Sequence, residues 1–538
     1  MALGRHLLEL TRAAPVSAGQ VGFFLAYAWA TCMWLYSCVL LKRGSGTRSL
    51  PKAHSSDAGE LAENGAGLED SGEPAASSPA PVRYSFLGEL LGSPAIKCLS
   101  FQTEALKAAN HTLKSMVEFG SIMTWFFLAD RTNMLPEGSK NYTRDSFFFV
   151  YLMLVLFNFS QPMKVWRTPT LLNRSQTEEW KGWMQVLFLL YHYYAAGELY
   201  NAIRVFIAAY VWMTGVGNFI YYHKTGDYTL GRFFQMMWRL NFLVLFTCIA
   251  LQNSYMLYYI CPMHTLFTLF VYAALAIMPK MNTSRIGIGS KMAWCFALVA
   301  VCWDIPSVFY TFWQPFSWLV GYVDPRRPKE DVLHEWYFRS SLDRYVWIYG
   351  MICGWIRPWV ESTFLQIDAM PTARKWTVRA ALVAICVGLG QLWYEHVYVL
   401  PKLEYNRLHP YTSWIPITIW ILLRNLTPAM RTFSLSTFAW LGCITLETYI
   451  CQYHTWLSSS IPDGQPVALL QLLPTNFPLL NFAATTTLYV FLSHRLFVLT
   501  NDLKDAAIPL KDNRLLLQNA MLMGAAGVVA LVFGTVIA

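Results

Sequence analysis

Long apolar windows recur along almost the whole chain of 538 residues, and they restrict its fold more than any other feature. Each window is long enough for a helix of about 20 residues to cross a hydrocarbon core of about 30 Å. Backbone polar groups inside lipid must be satisfied within the chain itself, which favours helices for windows of this length. The sequence therefore predicts an all-α, polytopic membrane helix bundle with about 12 to 14 transmembrane or re-entrant helices.

The candidate spans are residues 21–41, 113–129, 146–163, 182–196, 202–222, 233–251, 254–279, 292–313, 345–365, 379–400, 411–424, 436–457, 479–499 and 518–538. This set is an upper count, because four windows are short or are interrupted by Pro, Gly or charge. We expect these four to be re-entrant, broken or interfacial: 113–129, 182–196, 345–365 and 411–424.

Composition agrees with a membrane protein. Hydrophobic residues make up 55% of the chain and charged residues 14%, against roughly a quarter charged in soluble domains. The formal net charge is +9, but basic loops such as 280–291 and 374–379 flank predicted spans, which argues against nucleic acid as a partner. The positive-inside rule predicts that these loops are cytosolic. The 11 cysteines are scattered singly, so neither disulfides nor a metal site is predicted.

The chain divides into three predicted regions. Residues 1–43 contain the run VGFFLAYAWATCMWLYSCVLL, which is too long for a signal-peptide core and predicts a retained membrane anchor. Residues 44–83 are rich in Ser, Ala, Gly, Pro and Glu, which predicts a disordered linker. Residues 84–538 form a multipass membrane domain that opens with an amphipathic stretch. The sequons do not decide the orientation; they lie at Asn110, Asn141, Asn158, Asn173, Asn282 and Asn425.

Polar side chains within the apolar windows are the candidate functional residues. An ionisable group at the bilayer centre costs roughly 2.5 to 3.5 kcal/mol on insertion scales, so such groups usually face the bundle interior and mark a site. The candidates are His192, Glu198, Asn201, Arg204, Arg239, Asn241, His264, Asp304, Arg357, Glu395, His396, Glu447 and His454. Charged residues near the ends of spans often only snorkel to the membrane–water interface. For that reason we exclude Arg357 and Glu395 from the predicted site.

Two groups of these residues have favourable spacing. Glu447 and His454 are seven residues apart, which places them on one face of an unbroken helix, about 10 Å apart along its axis. In YHYYAAGELYNAIR, Glu198, Asn201 and Arg204 share an arc, but an unbroken helix would place His192 opposite Asn201. We therefore predict a break at Gly197, with His192 ending one span and the arc beginning the next, both facing a shared polar chamber.

Three long motifs carry a resemblance to a known family: SFQTEALKAANHTLKSMVEFGSIM, YHYYAAGELYNAIRVFIAAYVWMTGVGNF and LETYICQYHTWLS. They resemble the multipass acyltransferase module of the plant Reduced Wall Acetylation proteins, the fungal capsule O-acetylation proteins and the animal sialic-acid O-acetyltransferase. Val216 departs from the aromatic residue expected in WMTGxGN. Several of these relatives carry a luminal hydrolase-like domain, and we expect this chain to lack one, as in the plant branch.

The resemblance implies a multipass Golgi membrane enzyme that uses cytosolic acetyl-CoA to O-acetylate cell-wall polysaccharides in the lumen, such as xylan, pectin, xyloglucan or mannan. Residues 84–538 are then the acyltransferase domain. The expected partners are the polysaccharide, acetyl-CoA, membrane lipid and luminal polysaccharide O-acetyltransferases; neither a metal nor nucleic acid is expected.

Acetyl transfer to a hydroxyl requires a base, a donor to the developing oxyanion and an anchor for the CoA phosphates. We predict His192 or His454 as the base, favouring His192, with Glu198 or Glu447 orienting the imidazole. The oxyanion donors would be Asn201 and Asn241, and the phosphate contacts Arg204 and Arg239. A histidine nucleophile that forms an acetyl-imidazole is equally compatible with the sequence.

Two other function classes stay open. The protein could transport acetyl groups or acetyl-CoA to separate luminal transferases, although no convincing internal repeat of the kind found in transporters is present. It could also be a scaffold for such transferases, which explains the clustered intramembrane charges least well.

Overall fold

The computed structural model describes residues 16–44, 94–459, 461–474, 477–510 and 512–537. A helix lies over each of the fourteen predicted windows, and three of the windows, 292–313, 411–424 and 436–457, are divided between successive helices. The all-α membrane bundle is thus confirmed. The predicted linker falls outside the described residues from position 45 onward, as does the start of the amphipathic stretch.

The α-helices are α1 Ala18–Gly44, α2 Pro94–Leu99, α3 Thr103–Ala108, α4 Asn110–Arg131, α5 Arg144–Ser160, α6 Arg174–Tyr194, α7 Tyr200–Thr225, α8 Leu230–Leu251, α9 Ile260–Ala276, α10 Arg285–Trp303, α11 Pro306–Trp313, α12 Ser317–Val320, α13 His334–Leu342, α14 Val346–Ala369, α15 Thr372–Trp393, α16 Lys402–Thr412, α17 Trp414–Arg424, α18 Pro428–Thr432, α19 Ser436–Cys443, α20 Thr445–Cys451, α21 Pro478–Ala507 and α22 Asn513–Ile537. Short 3₁₀ turns cover Gly197–Leu199, Tyr255–Tyr258, Pro279–Thr283 and Gln314–Phe316, and π-helical turns cover Tyr394–Tyr398 and Gln452–Trp456.

In the part of the chain that the structure describes, seven helices are long and apolar enough to cross a membrane by length and composition. They are α1, α7, α8, α10, α15 extended to Tyr398, α21 and α22. Two shorter apolar helices, α9 and α17, add to them. Large apolar side chains are exposed on the outer helices, for example Trp294 at 76%, as expected for a surface that faces lipid rather than water.

Small residues allow the helices to approach closely. In α7 and α14, a Cβ at Gly215 would overlap the carbonyl oxygen of Trp347, and one at Gly350 would overlap that of Trp212. Helix association in lipid depends on this kind of small-residue packing, because the hydrophobic effect does not drive it there. The same device joins the first and last helices: a Cβ at Gly22 in α1 would meet the carbonyl oxygen of Ala530 in α22. The helix predicted as an N-terminal anchor is therefore packed into the bundle.

The two ends of the bundle differ. We call the end with residues 132–143, 195–199, 252–259 and 461–474 the site end, and the end with residues 161–173, 226–229, 277–284 and 425–435 the opposite end. At the site end, β1 Glu137–Ser139, β5 Ala468–Leu470 and β4 Leu457–Ser458 form an antiparallel sheet in the order β1-β5-β4. At the opposite end β2 Lys164–Val165 pairs with β3 Phe433–Ser434. The basic stretches 280–291 and 374–379, predicted as loops, lie at the opposite end, but residues 285–291 begin α10 and residues 374–379 belong to α15.

The predicted break in the opening motif is confirmed. Helix α6 ends at Tyr194, and Ala195 adopts a left-handed conformation with φ of 57°. A 3₁₀ turn over Gly197–Leu199 follows, and α7 begins at Tyr200. His192 therefore closes one helix at the site end, while Asn201 and Arg204 open the next.

Candidate active site

His454 is the centre of a buried chain of three side chains. Its Nδ1 lies 2.8 Å from Asp130 Oδ2, and its Nε2 lies 2.5 Å from the hydroxyl of Tyr258. All three residues are at most 1% exposed. A carboxylate can only accept, so Nδ1 donates to Asp130 and Nε2 accepts from Tyr258. Both ring nitrogens of His454 are consequently engaged within the protein.

The loop after His454 is held by the same carboxylate. The Ser458 hydroxyl and the Ser459 backbone amide donate to Asp130 Oδ1, at 2.9 and 3.0 Å. Arg131 pairs with Asp130 at 2.6 Å and donates to Asn253 Oδ1 at 2.7 Å. This network fixes the loop relative to α4 and the 252–259 turn.

Asp463 ties the far side of that loop to the same turn. Its carboxylate accepts from the Ser254 amide and hydroxyl, each at 2.8 Å. Burial raises the pKa of the Asp463 carboxyl above its usual range, and the two hydrogen bonds from Ser254 oppose that effect. The site end is therefore closed by a loop that is anchored at both edges.

His192 is held differently and keeps one nitrogen free. Its Nδ1 lies 3.1 Å from Gln452 Oε1, and the Gln452 amide nitrogen donates to the Tyr449 carbonyl, which identifies Oε1 as the acceptor. Nδ1 therefore carries the proton, and the Nε2 lone pair has no hydrogen-bond partner among the described residues. The His192 side chain is only partly buried. Of the two candidate bases, His192 has the available lone pair.

The two histidines lie on either side of one aromatic residue. The ring of Tyr453 has centroid distances of 6.4 Å to His192 and 6.2 Å to His454. Gln452, Tyr453 and His454 belong to the π-helical turn Gln452–Trp456, and such turns are frequent at functional sites because they redirect side chains. The bundle thus brings together the two imidazoles that the sequence separates by 262 positions.

A polar pocket of about 280 Å³ lies beside His192 at the break between α6 and α7. It is lined by Tyr191, Gly197, Glu198, Tyr200, Asn201 and Lys402. The Tyr191 ring contacts the His192 ring, with 5.3 Å between their centroids. The pocket at the predicted break is lined by Glu198 and Asn201 of the predicted arc, whereas His192 and Arg204 are not among its lining residues.

Glu198 and Asn201 have partners other than those expected. Glu198 pairs with Arg144, with Arg144 Nη2 2.6 Å from Glu198 Oε2, and it also accepts from the Tyr142 hydroxyl. The Asn201 amide donates to the carbonyl oxygens of Tyr398 and Leu400, at 2.7 and 3.0 Å. Asn201 therefore holds the chain that follows the π-helical turn after α15.

Glu447 and Asn241 likewise belong to other networks. Fully buried Glu447 pairs with both guanidinium nitrogens of Arg239. The Asn241 amide donates to the Met237 carbonyl and to Thr265 Oγ1. The α-helix ends at Cys451 and His454 belongs to the following π-helical turn, so the spacing expected of an unbroken α-helix does not apply to Glu447 and His454.

The expectation that Glu198 or Glu447 orients an imidazole is therefore corrected. Asp130 orients His454, and Gln452 orients His192. The sequence carried a weak signal for Asp130, an Asp-Arg pair directly after the window 113–129. Gln452 and Tyr258 carried none, because both are uncharged at neutral pH and nothing in the sequence around them indicated a role.

Arg204 lies behind Tyr200 of the pocket wall, near a second arginine, Arg339, that was not among the sequence candidates. Arg204 is 2% exposed, and its Nε donates to the Tyr200 hydroxyl at 3.0 Å. The Phe338 ring lies between the two guanidinium groups, 5.6 Å from that of Arg204 and 5.3 Å from that of Arg339. Arg339 also stacks on Tyr259 at 4.1 Å. Arg204 is too deeply buried to be a surface anchor for a phosphate.

Residues 82–521 match the family described as the 10 TM acyl transferase domain found in Cas1p. The chain belongs to this family. The match confirms the family resemblance drawn from the three motifs, and it makes the bundle a Cas1p-type membrane acyltransferase domain. No solved structure matches the chain.

A curated relative is the N-acetylneuraminate (7)9-O-acetyltransferase of Danio rerio. It is 33% identical over 409 residues, which cover 73% of this chain and 50% of the relative. The chain thus spans about half the length of the curated relative it matches. That relative's name describes transfer of an acetyl group to a sugar hydroxyl.

For a Cas1p-type acyltransferase domain, the geometry supplies the parts that acyl transfer requires. His192 offers an imidazole lone pair next to a polar pocket, and Arg204 and Lys402 supply positive charge beside it. Among the described residues, no group of three or more His, Cys, Asp or Glu side chains is arranged to hold a metal ion.

Proposed function

We propose that the protein is a membrane-embedded O-acetyltransferase that transfers the acetyl group of acetyl-CoA to a hydroxyl of a polysaccharide. The observation that carries the proposal is the state of His192: Nδ1–H is fixed on Gln452 and the Nε2 lone pair is free, one residue from Tyr191 in the pocket wall. An uncharged imidazole with a free lone pair can act as a general base towards a hydroxyl.

The reaction follows from that arrangement. The acceptor oxygen bonds to the thioester carbonyl carbon while its proton passes to His192 Nε2. The tetrahedral intermediate then loses the C–S bond, and CoA leaves as its thiol after taking up a proton. The acetyl group remains as an ester on the acceptor.

The acceptor we propose is a cell-wall polysaccharide of the Golgi lumen, of the xylan, pectin, xyloglucan or mannan type. The motif resemblance to the Reduced Wall Acetylation proteins supports this class. The sugar substrate in the curated relative's name supports a carbohydrate hydroxyl in general.

The test is an assay in detergent, where no compartment exists and a transporter cannot make product. Purified protein receives acetyl-labelled CoA and an oligosaccharide of each class. We expect label in ester linkage on at least one of them. Replacing His192 with Ala should lower kcat at least about 100-fold, because general-base catalysis contributes about 10² to 10⁴.

His223→Ala is the matched control. His223 lies near the other end of α7, where it is exposed and stacks on Phe219 with 5.2 Å between ring centroids. It should retain wild-type activity. Absence of ester product with the wild-type protein on every acceptor would overturn the proposal, and full activity in His192→Ala would remove His192 from the mechanism.

A further inference from the structure

Several buried polar atoms behind the pocket have no hydrogen-bond partner. They are Arg204 Nη1, Asn406 Nδ2 and Asp343 Oδ2, and with them His409 Nε2 and Asp343 Oδ1, which form a 3.5 Å ion pair but no regular hydrogen bond. Arg204 is 2% exposed, and Asp343 and His409 are 0% exposed. Buried polar groups in native proteins are nearly always paired, and an unpaired one calls for an explanation such as a catalytic role or a polar occupant.

These atoms belong to one connected cluster. Arg204 Nε donates to the Tyr200 hydroxyl at 3.0 Å, and that hydroxyl donates to Asn406 Oδ1 at 3.2 Å. His409 follows Asn406 by three positions in α16 and therefore lies on the same helix face. Its Nε2 is 3.5 Å from Asp343 Oδ1. The cluster thus joins α7, α16 and the residue that follows α13.

The cluster lies directly behind the wall of the pocket. Tyr200 lines the pocket and also bonds both Arg204 and Asn406. Asn201 lines the pocket too, and its carbonyl accepts from Tyr405, whose hydroxyl is 2.9 Å from His409 Nδ1. Tyr200 and Asn201 thus connect the pocket wall directly to the cluster.

The Asp343–His409 pair holds a proton on the side away from Tyr405. The single hydroxyl proton of Tyr405 is donated to the Asn201 carbonyl, so His409 Nδ1 donates to the Tyr405 oxygen. An uncharged ring would then turn its Nε2 lone pair against a carboxylate, so a further proton lies between Nε2 and Asp343. The pair therefore has a proton available at Nε2 or Oδ1.

We propose that this cluster binds the reacting thioester of the acyl donor. Arg204 Nη1 and Asn406 Nδ2 donate to the carbonyl oxygen as it becomes an oxyanion, and the Asp343–His409 pair protonates the departing thiolate sulfur as the C–S bond breaks. The proton that His192 took from the acceptor hydroxyl then replaces the one lost by the pair, through solvent, so the cycle balances. This inference rests on the proposed acetyl transfer.

The chemistry accounts for each unpaired atom. Oxyanion donors act best when they are fixed and dry before the substrate arrives, because no reorganisation is then needed. The cationic Arg204 and the neutral Asn406 both bond the Tyr200 hydroxyl, which fixes their free N–H groups. The proton shared by Asp343 and His409 can pass to the sulfur of CoA, which must leave as a thiol.

The experiment compares two acyl donors in the detergent assay. His409→Gln and Asp343→Asn are measured with acetyl-CoA and with the acetyl thioester of an acidic aryl thiol, which leaves without protonation. We expect each variant to lose about 100-fold in kcat with acetyl-CoA and less than about tenfold with the aryl thioester. Equal losses with both donors, or no loss with either, would overturn the protonation role.

Asn406→Leu tests the oxyanion role, and Asn501→Leu in α21 at the opposite end is its control. We expect Asn406→Leu to lower kcat about 10² to 10³-fold with both donors, while KM for acetyl-CoA and the melting temperature stay near wild type. Asn501→Leu should keep wild-type kcat. An unchanged kcat, or a loss that follows a lowered melting temperature, would overturn this role.

The failure of this inference is distinguishable from failure of the proposed function. If wild-type protein forms ester product and His192→Ala does not, but all three cluster variants behave as wild type, only the cluster assignment falls. If wild-type protein forms no ester product with either donor, both fall together.

Discussion

At the scale of residues, the two candidate histidines differ in their hydrogen-bond partners. The sequence identified both imidazoles, but only the structure shows that His454 has both nitrogens engaged and that His192 has one free. Hydrogen-bond partners that are hundreds of positions away, such as Asp130 for His454, leave no periodic signal in the sequence. Glu198 and Glu447 were candidates because a carboxylate within an apolar window is costly. In the structure each forms an ion pair with an arginine.

Gln452→Leu tests the orientation of His192. Without the Oε1 acceptor, the Nδ1 proton has no fixed partner, so the tautomer with a free Nε2 lone pair is less populated. We expect kcat to fall about tenfold while the protein stays folded, since a neutral hydrogen bond is worth about 0.5 to 1.5 kcal/mol.

The kcat measurement is paired with the nitrogen chemical shifts of labelled His192. In the wild type these should show the tautomer protonated at Nδ1, and in Gln452→Leu a mixture. A wild-type kcat with an unchanged tautomer would contradict the role of Gln452.

At the scale of elements, the windows and their breaks were predictable, and the packing was not. The break at Gly197 followed from a conflict between His192 and Asn201 on one helix face, and it is where α6 ends and α7 begins. The π-turn after α20 was not predicted, because its sequence continues an ordinary apolar helix. Nor did the sequence show which glycines lie at helix crossings.

Gly215 and Gly217 provide a matched pair for the crossing of α7 and α14. A Cβ at Gly215 would overlap the backbone of Trp347, whereas a Cβ at Gly217 would meet nothing within 4 Å. Gly215→Val should therefore destabilise the fold by about 1 to 3 kcal/mol, the usual cost of overpacking.

Gly217→Val should melt close to the wild-type temperature. Thermal unfolding of the two detergent-solubilised variants, monitored by tryptophan fluorescence, makes the comparison. Equal melting temperatures for the two variants would show that α7 and α14 do not cross at Gly215.

At the scale of the whole molecule, the polar machinery lies at one end of the bundle and the loops at the other end are basic. The family assignment makes the bundle an acyltransferase domain. Charged side chains that would be costly to expose to lipid lie inside this bundle. Under the proposed function, a donor from one aqueous side and an acceptor from the other meet near His192. A transporter that passes acetyl groups to other enzymes would not bring the two substrates together.

Sealed vesicles that contain the purified protein test this claim most directly, with acetyl-labelled CoA outside and an oligosaccharide inside. The account predicts label in ester linkage on the enclosed oligosaccharide with no other protein present, and loss of that label with His192→Ala. Free acetate or intact donor inside, with an unmodified oligosaccharide, would contradict it.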